Sequence, residues 1–119
     1  MAVDKTEMIN RYKKFTVDIV KFCSKLPKEQ AFFIFGKQLI RCSSSMGANY
    51  RAACRGKSTA DFINKLKIVE EEADETVYWL EIIEELLPDD KAECNVLLSE
   101  AKQLLSIVTA ALKTMRNRV

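Results

Sequence analysis

Basic residues at helical spacing are the feature of this sequence best suited to chemistry, and that chemistry is the binding of phosphate groups. Arginines and lysines recur along one face of a predicted helix, with the small residues Ser44 and Ala48 between them. Such a face can meet roughly two to four phosphates of a nucleic acid. No aromatic residue falls on it to stack on bases, so sequence-specific readout of single strands is not indicated. The basic residues of this stripe are Lys37, Arg41, Arg51 and Arg55, and Lys57 lies just beyond it; these five are called the basic stripe below.

Histidine, the residue that most often serves as a catalytic base, is missing, which leaves only lysine or carboxylate chemistry open, and no motif indicates either. The chain contains no histidine, which removes the usual general base near neutral pH and the histidine-dependent serine and cysteine nucleophiles. It has no glycine-rich phosphate loop and no convergent polar set. We therefore expect a protein that is not an enzyme and has no catalytic residues.

Two groups of residues invite a metal hypothesis. Cys23, Cys42, Cys54 and Cys94 lack the paired spacing of a structural zinc site, so we expect free, partly buried thiols in a reducing cytosol. The acidic run at residues 70–75 could supply carboxylates, but di-iron bundles need Glu-x-x-His pairs. A solvated helix face is the favoured interpretation of the run, and we expect no metal and no cofactor.

Small residues lie four apart on the helix that carries the basic stripe. Because small side chains let helix axes approach closely, we interpret Ser45 and Gly47 as structural or interface residues. Asn49 falls on the apolar side of the same helix, where a bonded amide can fix register. We interpret Asn49 as satisfied within the protein, and the alternative is contact with a ligand.

Four amphipathic helices must position these residues. Apolar residues recur at steps of three and four through four segments, with breaks near Pro27, Gly56 and Pro88. Pro27 suits the first turn of the second helix, and Gly56 suits the residue after its end. Helices of roughly 20 to 28 residues with short connections predict an all-α, antiparallel, up-down-up-down four-helix bundle that occupies residues 1–119 as one domain. In the first helix the predicted core stripe is Met8, Tyr12, Phe15, Ile19, Phe22 and Leu26.

The third helix begins with a capping signal and carries an aromatic residue of uncertain surroundings. Asp61 follows Ser58 by three residues, close to a capping box. Trp79, with Ile82 and Leu86, forms a second apolar line beside the core stripe. This line is either core or a subunit contact, because tryptophan is enriched at interfaces.

Charge is segregated along the chain. Residues 27–57 carry a net charge of +5 and residues 58–88 a net charge of −7, although the whole chain is only +2. Two interpretations stay open. The basic stripe either faces solvent and binds nucleic acid, or pairs with the acidic third helix within or between subunits.

Composition sets the remaining expectations. With 48% apolar residues among 119, the chain can bury one core, and no run approaches the ~20 apolar residues of a membrane span. Asp4, Lys5 and Glu7 stand where a signal peptide would need apolar residues. We expect a cytoplasmic protein with no membrane and no small-molecule substrate among its partners.

Two segments, "KQLIRCSSSMGANYRAA" and "STADFINKLKIVEEEADETVYWLEII", resemble the bacterial four-helix bundle family encoded by intervening sequences in large-subunit ribosomal RNA genes. The sequence departs from the family pattern at Val69, where a small alanine is usual, and at Ala52, where a glutamate is frequent. The residues that match are Gln38, Leu39, Arg41, Ser45 and Asn49 in the first segment and Ser58, Asp61, Phe62, Leu66, Ala73, Glu75, Trp79 and Leu80 in the second.

The resemblance implies an antiparallel four-helix bundle that assembles into homopentamers. A related bundle, the accessory protein of diversity-generating retroelements, is a basic pentamer that binds nucleic acid and a reverse transcriptase. Two functions follow as hypotheses. The first is a non-enzymatic oligomer that binds RNA or DNA through the basic stripe. The alternative is a protein-interaction scaffold whose basic and acidic helices pair between subunits, without nucleic acid.

Overall fold

The computed structural model of the protein describes residues 4–118, apart from the side chain of Arg118. Its elements are four helices, α1 (Lys5–Cys23), α2 (Gln30–Cys54), α3 (Thr59–Leu86) and α4 (Ala92–Arg118), and no strand occurs within these residues. The bundle measures 47 × 21 × 20 Å. None of these helices is long and apolar enough to cross a membrane. The predicted domain of residues 1–119 extends past the described residues at both ends.

Each helix packs beside the next in the chain, and α4 returns to pack beside α1. At every contact the residue numbers rise along one helix while they fall along its neighbour, so neighbouring helices are antiparallel. The contacts that show this order are Thr16–Ser43 and Cys23–Gly36 for α1 and α2, Phe35–Trp79 and Met46–Thr76 for α2 and α3, Leu80–Cys94 and Glu70–Thr109 for α3 and α4, and Arg11–Glu100 and Lys25–Glu93 for α1 and α4.

The core is built from the predicted stripes. In α1 the stripe from Met8 to Phe22 is buried, and Leu26, beyond the helix, packs against the same cluster. Buried residues of all four helices form one continuous hydrophobic cluster. Because burying a large aliphatic or aromatic side chain contributes about 1.5–3 kcal/mol, this shared face holds the four helices together.

Side chains of the connecting segments cap two of the helices. The Ser58 hydroxyl accepts the backbone N–H of Asp61 at 3.1 Å at the start of α3. Near the start of α4, the Asp90 carboxylate accepts the N–H of Ala92 at 2.9 Å. Each bond satisfies a backbone donor that has no partner within the helix.

The expected place of Pro27 is wrong. α2 begins at Gln30, after Glu29, so Pro27 lies in the turn that reverses the chain rather than in the first helical turn. The Pro27 carbonyl accepts the N–H of Glu29 at 2.9 Å within that turn. After α1 ends at Cys23, several residues are needed to reverse direction while Leu26 still reaches the core.

Gly56 follows the end of α2, as predicted, but without the left-handed conformation that glycine often supplies there. No residue described by the structure has a positive φ, so this glycine does not supply a left-handed conformation. A Cβ at this position would instead lie 3.0 Å from the carbonyl oxygen of Ala53 and 3.5 Å from the Cβ of Asp61. Glycine permits the close approach of the two helix ends.

Candidate nucleic-acid interface

The basic stripe lies along the outer face of α2. Its opposite face carries Leu39, Cys42 and Met46 into the core, and the helical repeat therefore turns the stripe outward. The small residues Ser44 and Ala48, in the middle of the stripe, are also exposed. The stripe residues Lys37, Arg51, Arg55 and Lys57 are all exposed.

These four cations have no carboxylate partner among the described residues. The ion pairs that the structure contains there use Arg11, Lys14, Lys25 and Arg41 as the cation. Because none of the four is in an ion pair within the described residues, they leave positive charge along α2 and at its C-terminal end that a polyanion can meet.

Arg41 differs from the other members of the stripe because it turns toward α3. Its Nε donates to the side-chain oxygen of Gln38 at 3.0 Å, and its two terminal nitrogens contact the carboxylates of Glu72, at 3.3 Å, and Glu75. The basic stripe is therefore divided. One arginine pairs with the acidic helix of its own chain, and the other four cations face outward.

Glu75 links this ion pair to the tryptophan. The indole Nε1 of Trp79 donates to Glu75 at 3.0 Å, and the ring stacks on Phe35 of α2 with centroids 5.5 Å apart. Trp79 is half-buried and packs against the core cluster. It thus belongs to the α2–α3 contact, and part of the ring remains at the surface.

Burial affects the charge of Glu72. Its side chain is 18% exposed, and desolvation raises the pKa of this carboxyl, while the nearby Arg41 lowers it. Arg41 therefore serves an electrostatic role inside the bundle, because it compensates a carboxylate that folding takes partly out of water.

The small residues of α2 have different surroundings. The carbonyl of Ser43, which is buried, accepts the hydroxyl of Thr16 from α1 at 3.1 Å. A Cβ at Gly47 would lie 3.1 Å from the Cβ of Tyr12, so α1 approaches α2 closely at this position. Ser44 and Ala48 contribute nothing to this approach, because they face outward.

Asn49 is satisfied within its own helix. Its amide nitrogen donates to the backbone carbonyl of Ser45 at 2.9 Å and to the Ser45 hydroxyl at 3.0 Å. Both residues are half-buried on the side of α2 that faces α3. These hydrogen bonds satisfy the amide N–H groups of Asn49 at the α2–α3 contact without a ligand. Asp61 lies outside this contact, exposed in the first turn of α3.

The thiols are poorly suited to chemistry at neutral pH. All four cysteines are free, and burial raises the pKa of Cys23, Cys42 and Cys94 to about 11. A thiol with so high a pKa is almost entirely protonated at pH 7, and the protonated form is a poor nucleophile and metal ligand. Within residues 4–118, no three Cys, Asp or Glu side chains are grouped closely enough to hold a metal ion.

Comparison with known protein families identifies the family of this four-helix chain. Residues 4–110 match the family model described as 23S rRNA-intervening sequence protein. The chain belongs to this family. The match confirms the resemblance carried by the segments around Asn49 and Trp79, and it extends over nearly the whole chain.

A solved structure shares the fold. It is a protein of unknown function from the S23 ribosomal protein family of Bacteroides thetaiotaomicron, 33% identical in sequence with a TM-score of 0.80. The likeness covers 88% of this chain and 97% of that one. A comparison with curated proteins finds no match.

Proposed function

We propose that this member of the 23S rRNA-intervening sequence protein family is a non-enzymatic, homo-oligomeric protein that binds RNA. The binding face is the outer side of α2. The observation that carries the proposal is the exposure of Lys37 and Arg51 on α2 and of Arg55 and Lys57 just past its end, with no carboxylate partner among the described residues.

Phosphate contact is the mode of binding that this face favours. Ser44 and Ala48 are small, so a sugar–phosphate backbone can approach α2 closely between the cations. Between Lys37 and Arg55 no aromatic side chain shares this face to stack on bases, and the exposed Phe33 lies one turn before Lys37. We choose RNA over DNA because the family takes its name from 23S rRNA and the solved neighbour from a ribosomal protein family. A cytoplasmic location belongs to the same proposal.

Arg41 has a supporting role in this proposal. Its guanidinium is shared among Gln38, Glu72 and Glu75, so a phosphate would have to compete with two carboxylates of the same chain. Arg41 instead holds the carboxylates of Glu72 and Glu75 at the contact between α2 and α3, beside the phosphate-binding face.

The test is a titration of structured RNA at several salt concentrations. Arg51→Ala combined with Arg55→Ala should weaken binding at least tenfold and reduce the slope of log affinity against log salt by about 2, because each lost phosphate contact removes about one unit. The matched control is Lys102→Ala with Lys113→Ala, which removes two exposed cations from α4. Equal losses in the two double variants would show that net charge alone, rather than α2, governs binding.

Assembly is the second part of the proposal. We take the homopentamer that the resemblance implies as the expected state, because several copies of a modest basic face give RNA an avidity that one copy lacks. A particle mass of five times 13.6 kDa by light scattering would support it. A mass of one subunit at micromolar concentration would contradict it.

The alternative function is a protein-interaction scaffold without nucleic acid. Its support is the acidic outer face of α3, where Glu71, Asp74, Glu81 and Glu85 are exposed. The same RNA titration separates the two functions. An assembled protein whose RNA affinity stays unmeasurable at low salt would favour the scaffold, since phosphate contacts are strongest there.

A further inference from the structure

A cleft between α1 and α2 exposes apolar side chains at the edge of the core. It lies where α1 ends and α2 begins and has a volume of about 550 Å³. Phe33 is 75% exposed and Val20 is 45% exposed, although both line the cleft. Gly36 also lines the cleft. The apolar residues that define this α1–α2 cleft are Val20, Leu26, Pro27, Phe33 and Ile40.

A second exposed apolar surface projects from α3. Tyr78, Ile82 and Leu86 are spaced four residues apart and therefore share one face of the helix. Tyr78 is 55% exposed and Leu86 is 44% exposed. The ring of Tyr78 packs edge-on against Trp79, with centroids 5.1 Å apart, and more than half of the Tyr78 side chain remains exposed. We call these three residues the α3 ridge.

The two surfaces carry opposite charge. Lys28 and Lys37 line the α1–α2 cleft. Glu81 and Glu85 are exposed on α3 among the residues of the ridge. One surface is thus an apolar concavity with basic residues, and the other is an apolar convexity with acidic residues. Exposed apolar residues grouped in this way are typical of protein contact sites.

We propose that the α3 ridge of one copy docks into the α1–α2 cleft of the next copy. The inference rests on the homo-oligomer of the proposed function and names the surfaces that build it. A second copy is the occupant because the chain itself carries an exposed apolar surface whose charge is opposite to that of its own cleft. In this arrangement each copy uses its ridge on one neighbour and its cleft on another, so the contact is heterologous, and its repetition builds the ring of the proposed oligomer.

The test uses one variant for each surface. Phe33→Glu places an acidic group in the cleft, and Tyr78→Glu places one on the ridge. Both side chains are more than half exposed, so the core is untouched. Each variant alone should fall to the monomer mass of 13.6 kDa by analytical ultracentrifugation, with unchanged helical circular dichroism. Val96→Glu, at a 68% exposed position on α4, is the matched control and should keep the wild-type mass.

Mixing the two variants tests the heterologous geometry. The Phe33→Glu protein keeps an intact ridge, and the Tyr78→Glu protein keeps an intact cleft. An equimolar mixture should therefore form a one-to-one dimer, visible by native mass spectrometry, that neither variant forms alone. Absence of that dimer, or a single variant that retains the wild-type mass, overturns the proposed contact.

The outcomes also separate this contact from the wider proposal. A wild-type protein that is itself monomeric overturns the homo-oligomer together with the contact. A wild-type oligomer whose two single variants stay assembled overturns only the choice of surfaces. RNA binding is read independently from Arg51 and Arg55, which lie at the C-terminal end of α2, away from the cleft. Lys37, which belongs to both surfaces, is left unchanged in both tests.

Discussion

At the scale of single residues, Glu75 shows how one carboxylate serves two helices. It accepts the guanidinium of Arg41 from α2 and the indole N–H of Trp79 from its own helix. The sequence places all three residues near one another in a bundle. It could not show that Arg41 turns to α3 while Arg51 faces outward, because helical periodicity fixes the direction of a Cβ and not the rotamer of a long side chain.

Glu75→Gln tests this link. The substitution keeps an oxygen for Trp79 but removes the charge that Arg41 meets, so the free energy of unfolding should fall by about 1 kcal/mol. Urea unfolding followed by the fluorescence of Trp79, the chain's one tryptophan, measures it. Glu71→Gln, an exposed change in the same acidic run, should stay within about 0.5 kcal/mol of wild type. If both substitutions changed the free energy of unfolding equally, Glu75 would act only through the net charge of α3 and not through its contacts with Arg41 and Trp79.

The thiols allow a second test at this scale. Burial raises the pKa of Cys42 and Cys94 to about 11, so their thiolate fraction at pH 8 is about a thousandth. Both should react with a disulfide reagent far more slowly in the folded protein than in urea, where all four cysteines should titrate at once. As long as the pH stays below the pKa, each increase of one pH unit should raise the reaction rates of these two thiols about tenfold, because the thiolate fraction rises tenfold. Four fast equivalents in the folded state would contradict the burial.

At the scale of the helices, Gly36 and Gly47 both lie on the side of α2 that meets α1, and they differ in the space around them. A Cβ at Gly36 would meet its nearest atom, the sulfur of Cys23, at an ordinary 3.7 Å. At Gly47 the Cβ of Tyr12 would be 3.1 Å away, and Tyr12 is 1% exposed and unable to move aside easily. The helix pair is therefore closest at Gly47.

Two alanine substitutions separate these positions. Gly36→Ala should raise the free energy of unfolding by about 0.5–1 kcal/mol, because alanine is the better helix former and its Cβ would make only ordinary van der Waals contacts. Gly47→Ala should show no such gain, since the crowding with Tyr12 offsets the helix preference. Urea unfolding of the two variants at one protein concentration compares them directly. If both variants gained a similar free energy of unfolding, Tyr12 and α1 would have to shift to accommodate the new methyl group at residue 47.

The number of helices, their core stripes and the Ser58 cap could be predicted from the sequence, because each rests on local spacing. In α1 the five residues from Met8 to Phe22 that repeat at steps of three and four are the buried ones. The roles of Pro27 and Gly56 could not be predicted. The first depends on how many residues the chain needs to reverse direction, and the second on how closely Asp61 approaches once α3 is packed.

At the scale of the whole molecule, the segregated charge is only partly neutralised within the chain. Arg41 pairs with Glu72 and Glu75, yet the remaining stripe and the outer carboxylates of α3 stay exposed. The sequence predicts the segregation from net charges of +5 and −7, but not how many of these charges meet each other. That division depends on which side chains reach across the α2–α3 contact. It leaves positive charge for phosphates and negative charge beside an apolar ridge.

Salt should therefore act differently on the two proposed contacts. Contact with RNA replaces counterions, so raising salt from 50 to 200 mM should weaken binding by about a hundredfold if four phosphates are met. The ring should keep its mass over the same range, because salt at these concentrations does not weaken apolar burial around Phe33 and Tyr78. Light scattering and RNA titration on one preparation measure both. If the mass fell in step with the affinity, charge pairs rather than apolar side chains would hold the subunits together, and the loss of RNA binding would follow from the loss of the ring.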